Sequence, residues 1–168
     1  MKSPLALTLL AVLIASGIPA VMAQSQTPAS SAEAPKAAWP VTCRSRDGSS
    51  ELSCSMSQVI ATKDSGQRVI AASVQRNKDG KALLRLSLPH GLLLPKGVAV
   101  WADEEPRATY PIVTADKNGS YAVIDLDKGL AQALKKGRQL NIAVQRFTGG
   151  EVVFQLPLEG FSAGFAKL

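Results

Sequence analysis

Two thiols, one imidazole, one run of carboxylates and two groups of basic side chains carry whatever chemistry this chain of 168 residues can offer. Cys43 and Cys54 are the only cysteines. The centre of the stretch between them is Asp47-Gly48-Ser49-Ser50, a turn sequence. A hairpin folded there sets Cys43 opposite Cys54 on neighbouring strands, close enough for a disulfide. A redox pair would instead read Cys-x-x-Cys at the start of a helix. His90, the only histidine, lies between Pro89 and Gly91 in a bend. No Gly-x-Ser-x-Gly elbow accompanies it, so a Ser–His–acid triad has no nucleophile to assemble. One histidine and two disulfide-bound cysteines cannot ligate zinc, which needs thiolates, so no metal and no cofactor is expected.

Asp103, Glu104 and Glu105 form the one acidic cluster. Alternate residues of a strand share a face, so Asp103 and Glu105 could divide acid and base roles in a small hydrolase. Pro106 follows them and points to an exposed loop instead. Lys135, Lys136 and Arg138 are the densest basic group and the candidate anion-binding residues. Arg76, Lys78 and Lys81 form a second group. Trp39 and Trp101 read as core-filling residues of a sandwich.

The elements that must position these residues are short strands. Leu52, Cys54 and Met56 alternate with serines, and Ala82, Leu84, Leu86 and Leu88 occupy one face of a second run. Leu140–Val144 and Val152–Leu156 repeat the pattern. Val69–Arg76, Val98–Trp101, Thr109–Val113 and Tyr121–Leu126 are further candidates. Asp79-Gly80, Asn118-Gly119 and Gly149-Gly150 supply turn chemistry between them. Eight or nine strands at this spacing predict an all-β fold, an antiparallel sandwich or barrel. One short helix is expected after the cap Asp127, with a Leu130, Ala133, Leu134 stripe and a stop at Gly137. Leu158, Phe161, Phe165 and Leu168 predict a short amphipathic segment packed on the sandwich.

Composition sets the address. The chain is 46% hydrophobic and 19% charged, too apolar for a disordered protein, and its length suits one domain. Residues 1–23 have a basic start at Lys2, an apolar stretch and Val21-Met22-Ala23 before the cut, which predicts a cleaved signal peptide and no retained transmembrane helix. Residues 24–38 read as a disordered Ser/Ala/Pro-rich linker, which leaves 39–168 as the folded domain. Loss of Lys2 takes the net charge from +6 to +5, which favours anionic envelope partners. Nucleic acid is not expected, because the basic groups lack interleaved aromatics.

The order of motifs is specific. Trp39-Pro-Val-Thr-Cys43, Cys54-x-Met56-x-Gln58 and Leu88-Pro-His-Gly-Leu-Leu-Leu-Pro-Lys-Gly-Val98 resemble the invasion-associated locus B (IalB) family of exported alphaproteobacterial proteins. The resemblance runs through Leu134-Lys-Lys-Gly137 and Gly160-Phe161 and covers residues 39–168. It implies an immunoglobulin-like β-sandwich, a periplasmic or surface location, and no enzymatic activity. Members of that family often carry a second cysteine pair, where this chain resembles them with Thr114 and Ser120 instead. The hairpin there must be held by its Asp116–Gly119 turn and by packing.

These readings converge on an exported, non-enzymatic binding protein of the bacterial envelope. Its partner would be an envelope or host-surface component. Function is expected in the bends Leu88–Gly97, with His90 and Lys96, and Asp103–Arg107, with Asp103, Glu104 and Glu105. The competing class is a periplasmic hydrolase using Asp103 and Glu105. A surface adhesin or invasion factor rests on the resemblance alone.

Overall fold

A computed structural model describes residues 39–45 and 52–168. The expected signal peptide, the linker and the Asp47-Gly48 turn lie outside the described residues. The chain order is β1 (Val41–Ser45), β2 (Leu52–Ala61), β3 (Arg68–Arg76), β4 (Ala82–Leu88), β5 (Val98–Ala102), β6 (Ala108–Tyr110), β7 (Thr114–Asp116) and β8 (Gly119–Asp125). Then come α1 (Lys128–Lys136), β9 (Gln139–Gln145), β10 (Glu151–Pro157) and α2 (Phe161–Phe165). Every strand pair is antiparallel. A six-stranded sheet, ordered β1-β2-β3-β4-β8-β7, packs on a four-stranded sheet, ordered β10-β9-β5-β6. Of the sandwich and barrel left open by the strand pattern, this is the antiparallel sandwich, in the immunoglobulin-like form that the resemblance implies.

The two-residue period explains the layering. Ile70, Ala72 and Val74 of β3, Leu84, Leu86 and Leu88 of β4, and Ile124 of β8 are buried on one sheet's inner face. Val98 and Val100 of β5 and Leu140, Ile142 and Val144 of β9 meet them from the other sheet. Each such aliphatic side chain contributes about 1.5–3 kcal/mol on leaving water. The intervening residues of the larger sheet face outward and are mostly small and polar. Thr42, Ser55, Ser57, Ser73 and Ser87 make that face rich in hydroxyls.

The structure has ten strands, where the sequence pattern yields eight or nine. The extra strand, β7, is three residues long, too short for alternation to register. The expected strand Thr109–Val113 is cut to Ala108–Tyr110, because Pro111 has no N–H to continue the ladder. Trp101 is also placed differently from expectation. It is 9% exposed, yet it alternates with the inward residues Val100 and Ala102 and so covers the outer side of the smaller sheet. There the Arg107 guanidinium lies 4.2 Å from its ring centroid. Trp39 does enter the core, edge-on to Phe161 with centroids 5.0 Å apart, and its indole N–H donates to the Pro157 carbonyl at 3.0 Å.

The helices form as their sequences dictate. Asp127 Oδ1 accepts from the Leu130 N–H at 2.8 Å and caps α1, which ends at Gly137. Helix α2 buries Phe161, Gly164 and Phe165. Gly164 is needed for that approach, because a Cβ there would sit 2.8 Å from Met56 Sδ and 3.2 Å from the Trp39 carbonyl oxygen. Among the described residues no helix is long and apolar enough to cross a membrane.

Candidate functional site

Cys43 and Cys54 are direct register partners of β1 and β2 and are joined by a disulfide, with Cα atoms 4.0 Å apart. The bond ties an edge strand to its neighbour at the rim of the larger sheet. The β7–β8 hairpin, where Thr114 and Ser120 stand, has no such bond. Thr114 faces Tyr121 and Ala115 faces Ser120, so the two positions are one register step apart. Asp116 holds this turn instead. Its Oδ1 accepts from the Asn118 N–H at 2.8 Å and from the Tyr121 hydroxyl at 3.0 Å. The Asn118 N–H keeps the Asp116 carboxyl below the ordinary aspartate range. Partial burial, together with the Asp116 carboxylate, pushes Tyr121 up.

The two loops singled out by sequence lie at opposite ends of β5, which separates them by roughly 15–20 Å. The 88–97 bend runs alongside the β9–β10 hairpin. Leu93 N–H donates to Gln145 O at 2.9 Å, Leu92 and Arg146 form an isolated bridge, and Phe147 N–H donates to Gly91 O at 2.8 Å. A 3₁₀ turn at Leu94–Lys96 then delivers the chain into β5. These contacts join the tip of the hairpin to the bend. Phe147 is 74% exposed and Leu94 41% exposed at this end, with His90 and Lys96 on the surface beside them. The His90 Nε2 lies 3.3 Å from Lys117 O, which links the bend to the β7–β8 turn as well.

Asp103 does different work. It is a non-glycine residue at φ 45°, in the left-handed region that aspartate tolerates better than most residues. Its carboxylate accepts from the Arg138 N–H at 3.0–3.1 Å and from the Gln139 N–H at 2.9 Å. Its own N–H donates to Gln139 O, and its carbonyl accepts from the buried Asn141 side chain at 3.1 Å. Gly137 leaves room for this, since a Cβ there would fall 3.2 Å from Asp103 Oδ2. Asp103 therefore fastens the end of α1 to β5. Glu104 and Glu105 stay exposed. Glu105 borders a cleft of about 490 Å³ between α1 and the β5–β6 edge, with Trp101, Tyr110 and Lys136. Burial, then the charge of Asp127, pushes the Tyr110 hydroxyl up.

The three basic residues grouped by sequence do not share one surface. Lys135 Nζ lies 4.1 Å from the Phe165 ring centroid, while Lys136 turns into the cleft with Glu105. Arg138 contributes main-chain bonds, to Asp103 and, through its carbonyl, to the Leu158 N–H. Successive helix residues point about 100° apart, which separates neighbours that look contiguous in sequence. Sequence reasoning missed Phe147, whose place at the hairpin tip follows from the Gly149-Gly150 turn just after it. It also missed Arg107, which pairs with Glu151 at 2.9 Å while lying on Trp101. Among the described residues no group of three His, Cys, Asp or Glu side chains is placed to hold a metal ion.

Comparison with known proteins gives a consistent result. The model of the family described as "Invasion associated locus B (IalB) protein" matches residues 39–168. An Invasion protein B homolog of Brucella abortus strain 2308 is 28% identical over 131 residues, spanning 77% of this chain and 75% of that relative. The same figures hold for an Invasion protein B homolog of Brucella abortus biovar 1 strain 9-941. The crystal structure of invasion associated protein B from Bartonella henselae superposes with a TM-score of 0.69 at 27% identity. That match covers 77% of this chain and 88% of the other.

Proposed function

The chain belongs to the invasion associated locus B family, and from that premise we propose that it is an exported, non-enzymatic binding module of the bacterial envelope. Its contact surface is the end of the sandwich formed by the His90–Lys96 bend and the Phe147 hairpin tip. The observation that carries this reading is Phe147, a phenylalanine 74% exposed on a hairpin hydrogen-bonded to the neighbouring bend. A large apolar side chain held in water by a rigid scaffold costs solvation free energy that a partner recovers. Leu94 enlarges the apolar area, and His90, Lys96 and Arg146 supply a polar, basic rim. The net positive charge of the chain favours an anionic envelope partner.

The competing hydrolase reading asks Asp103 to exchange a proton at oxygens that already accept main-chain N–H groups. That arrangement supports a positioning role for Asp103, and of the two bends expected from sequence it favours the 88–97 end as the contact surface. The names of the relatives make a host-cell partner one candidate. Brief protease treatment of intact cells distinguishes a surface-displayed protein from a periplasmic one. The decisive experiment places a photo-crosslinker at Phe147 in the full chain and irradiates intact cells. A discrete adduct that is absent with the crosslinker at Ser73, on the outer face of the larger sheet, is the expected result. Identical adduct patterns from the two positions, or a native protein found reduced and uncut in the cytosol, overturn the reading.

A further inference from the structure

Two basic groups about fifty residues apart in sequence meet at the end of β4 remote from the His90 bend. Arg76 ends β3 and Lys81 closes the β3–β4 turn; Lys128 and Lys135 are seven residues apart, on one face of α1. The four cations line a cleft of about 690 Å³ with Asp125 and Asp127, over apolar residues that include Leu126 and Phe165. The arrangement is built. Arg76 Nε donates to Leu168 O at 3.1 Å and Nη1 to Gly80 O at 2.9 Å, which fixes the guanidinium. Its Cζ lies 5.2 Å from the centroid of the same Phe165 ring that holds Lys135 Nζ at 4.1 Å. Two like charges are thus gathered on one aromatic side chain, and their mutual repulsion is an electrostatic cost that a bound anion would relieve.

Lys128 adds to that cost. It occupies the first turn of α1, where the helix dipole disfavours a cation. Arg76 meets an oxygen of Leu168, the last residue of the sequence, and the side-chain carboxylates bordering the cleft are Asp125 and Asp127. Asp127 Oδ1 is already committed to the cap hydrogen bond with Leu130. Four cationic side chains against two side-chain carboxylates give +2, which the Leu168 terminus on Arg76 brings to +1, so the cleft stays positive. A phosphate monoester carries about −1.5 to −2 at neutral pH, with three acceptor oxygens for a fixed guanidinium and mobile ammonium groups. The apolar residues beneath would contact the organic group that bears it.

We propose that this cleft binds a phosphomonoester, carried either on a lipid headgroup or on a small soluble polyol. The inference deepens the binding-module reading by adding a second ligand site, distinct from the Phe147 end. Its test uses purified full-length protein, so it succeeds or fails independently of the crosslinking in cells. Backbone amide shifts are followed during titration with glycerol 3-phosphate, with inorganic phosphate, and with phosphatidylcholine vesicles with and without phosphatidic acid. Lys81→Gln and Lys128→Gln are made singly and together; Lys63→Gln, in the turn at the far end of β3, is the control.

Saturable shifts confined to the cleft, weakened at least tenfold in the double variant and unchanged in the control, are expected. Response to glycerol 3-phosphate identifies a soluble source, and response to phosphatidic acid vesicles alone identifies a lipid. Absence of saturable binding to all three probes overturns the proposal. So does a loss in Lys63→Gln equal to that in the double variant, since diffuse charge would then account for the binding. The two substituted lysines are exposed, and the cations that stack on the Phe165 ring are Arg76 and Lys135, so near-UV circular dichroism of the double variant should match the parent.

Discussion

Replacing Asp103 by alanine removes the acceptor for two main-chain N–H groups, those of Arg138 and Gln139. A hydrogen bond to a charged acceptor contributes about 1.5–3 kcal/mol when shielded. Asp103 is half-buried and water reaches part of this loop, so the pair is worth about 2 kcal/mol together. Alanine at φ 45° adds about 1 kcal/mol of backbone strain that aspartate partly escapes. The total, about 3 kcal/mol, lowers the midpoint of thermal unfolding by roughly 10 °C for a domain of this size. Asparagine keeps one acceptor oxygen and tolerates the left-handed conformation, so Asp103→Asn should lose about half as much. Glycine relieves the strain but not the lost acceptor, and falls between them. Urea and thermal unfolding at neutral pH, followed by far-UV circular dichroism, give the ranking. An alanine variant within about 0.5 kcal/mol of the parent, or an asparagine variant as weak as alanine, would refute the positioning role.

Reducing the protein's one covalent cross-link is expected to be costly. Cys43→Ser combined with Cys54→Ser should destabilise by roughly 3 kcal/mol, from the closure of a loop of 11-residue separation, and an unchanged urea midpoint would count against this. Gly164→Ala should destabilise by about 1–2 kcal/mol although alanine favours helices, because its methyl group meets Met56 and the Trp39 carbonyl; a raised melting temperature is the contrary result. Both tyrosines, Tyr110 and Tyr121, should ionise above the ordinary value of 10.0, read as absorbance at 295 nm, and Asp116→Asn should bring one of them down. A tyrosine raised by folding stabilises the protein fully below its unfolded value, and that contribution is lost as pH climbs through the folded one. Asp116 runs the other way. Its depressed carboxyl supports the β7–β8 turn above 3.8, and the support fades as pH falls through the folded value, which amide exchange at Asn118 would report.

The features that sequence revealed are those with a local signature. Alternation located the long strands because burial on one face imposes a period of two over seven or more residues. Cys43 and Cys54 were paired by symmetry about a turn sequence, and Asp127 by its place before a helical stripe. What sequence hid depends on distance along the chain. Asp103 acts on residues 35 and 36 positions later, so its type and neighbours suggest an exposed loop acid or half of a carboxylate pair and not a main-chain acceptor. Lys135 and Lys136 look like one patch because sequence records adjacency and not helical rotation. The cleft that unites Lys81 with Lys128 exists only once β4 pairs with β8, which brings Leu83 opposite Asp125. Phe147 falls between the Leu140–Val144 pattern and the Gly149-Gly150 turn, and its exposure follows from the hairpin that this turn closes.

Trp39 ties the two ends of the domain together. Its indole is socketed by the Pro157 carbonyl and the Phe161 ring, about 120 residues further along the chain. A chain cut short before α2 therefore keeps both cysteines but leaves that indole without its socket, and an uncovered aromatic group of this kind is a handle for proteases and chaperones of the compartment that holds it.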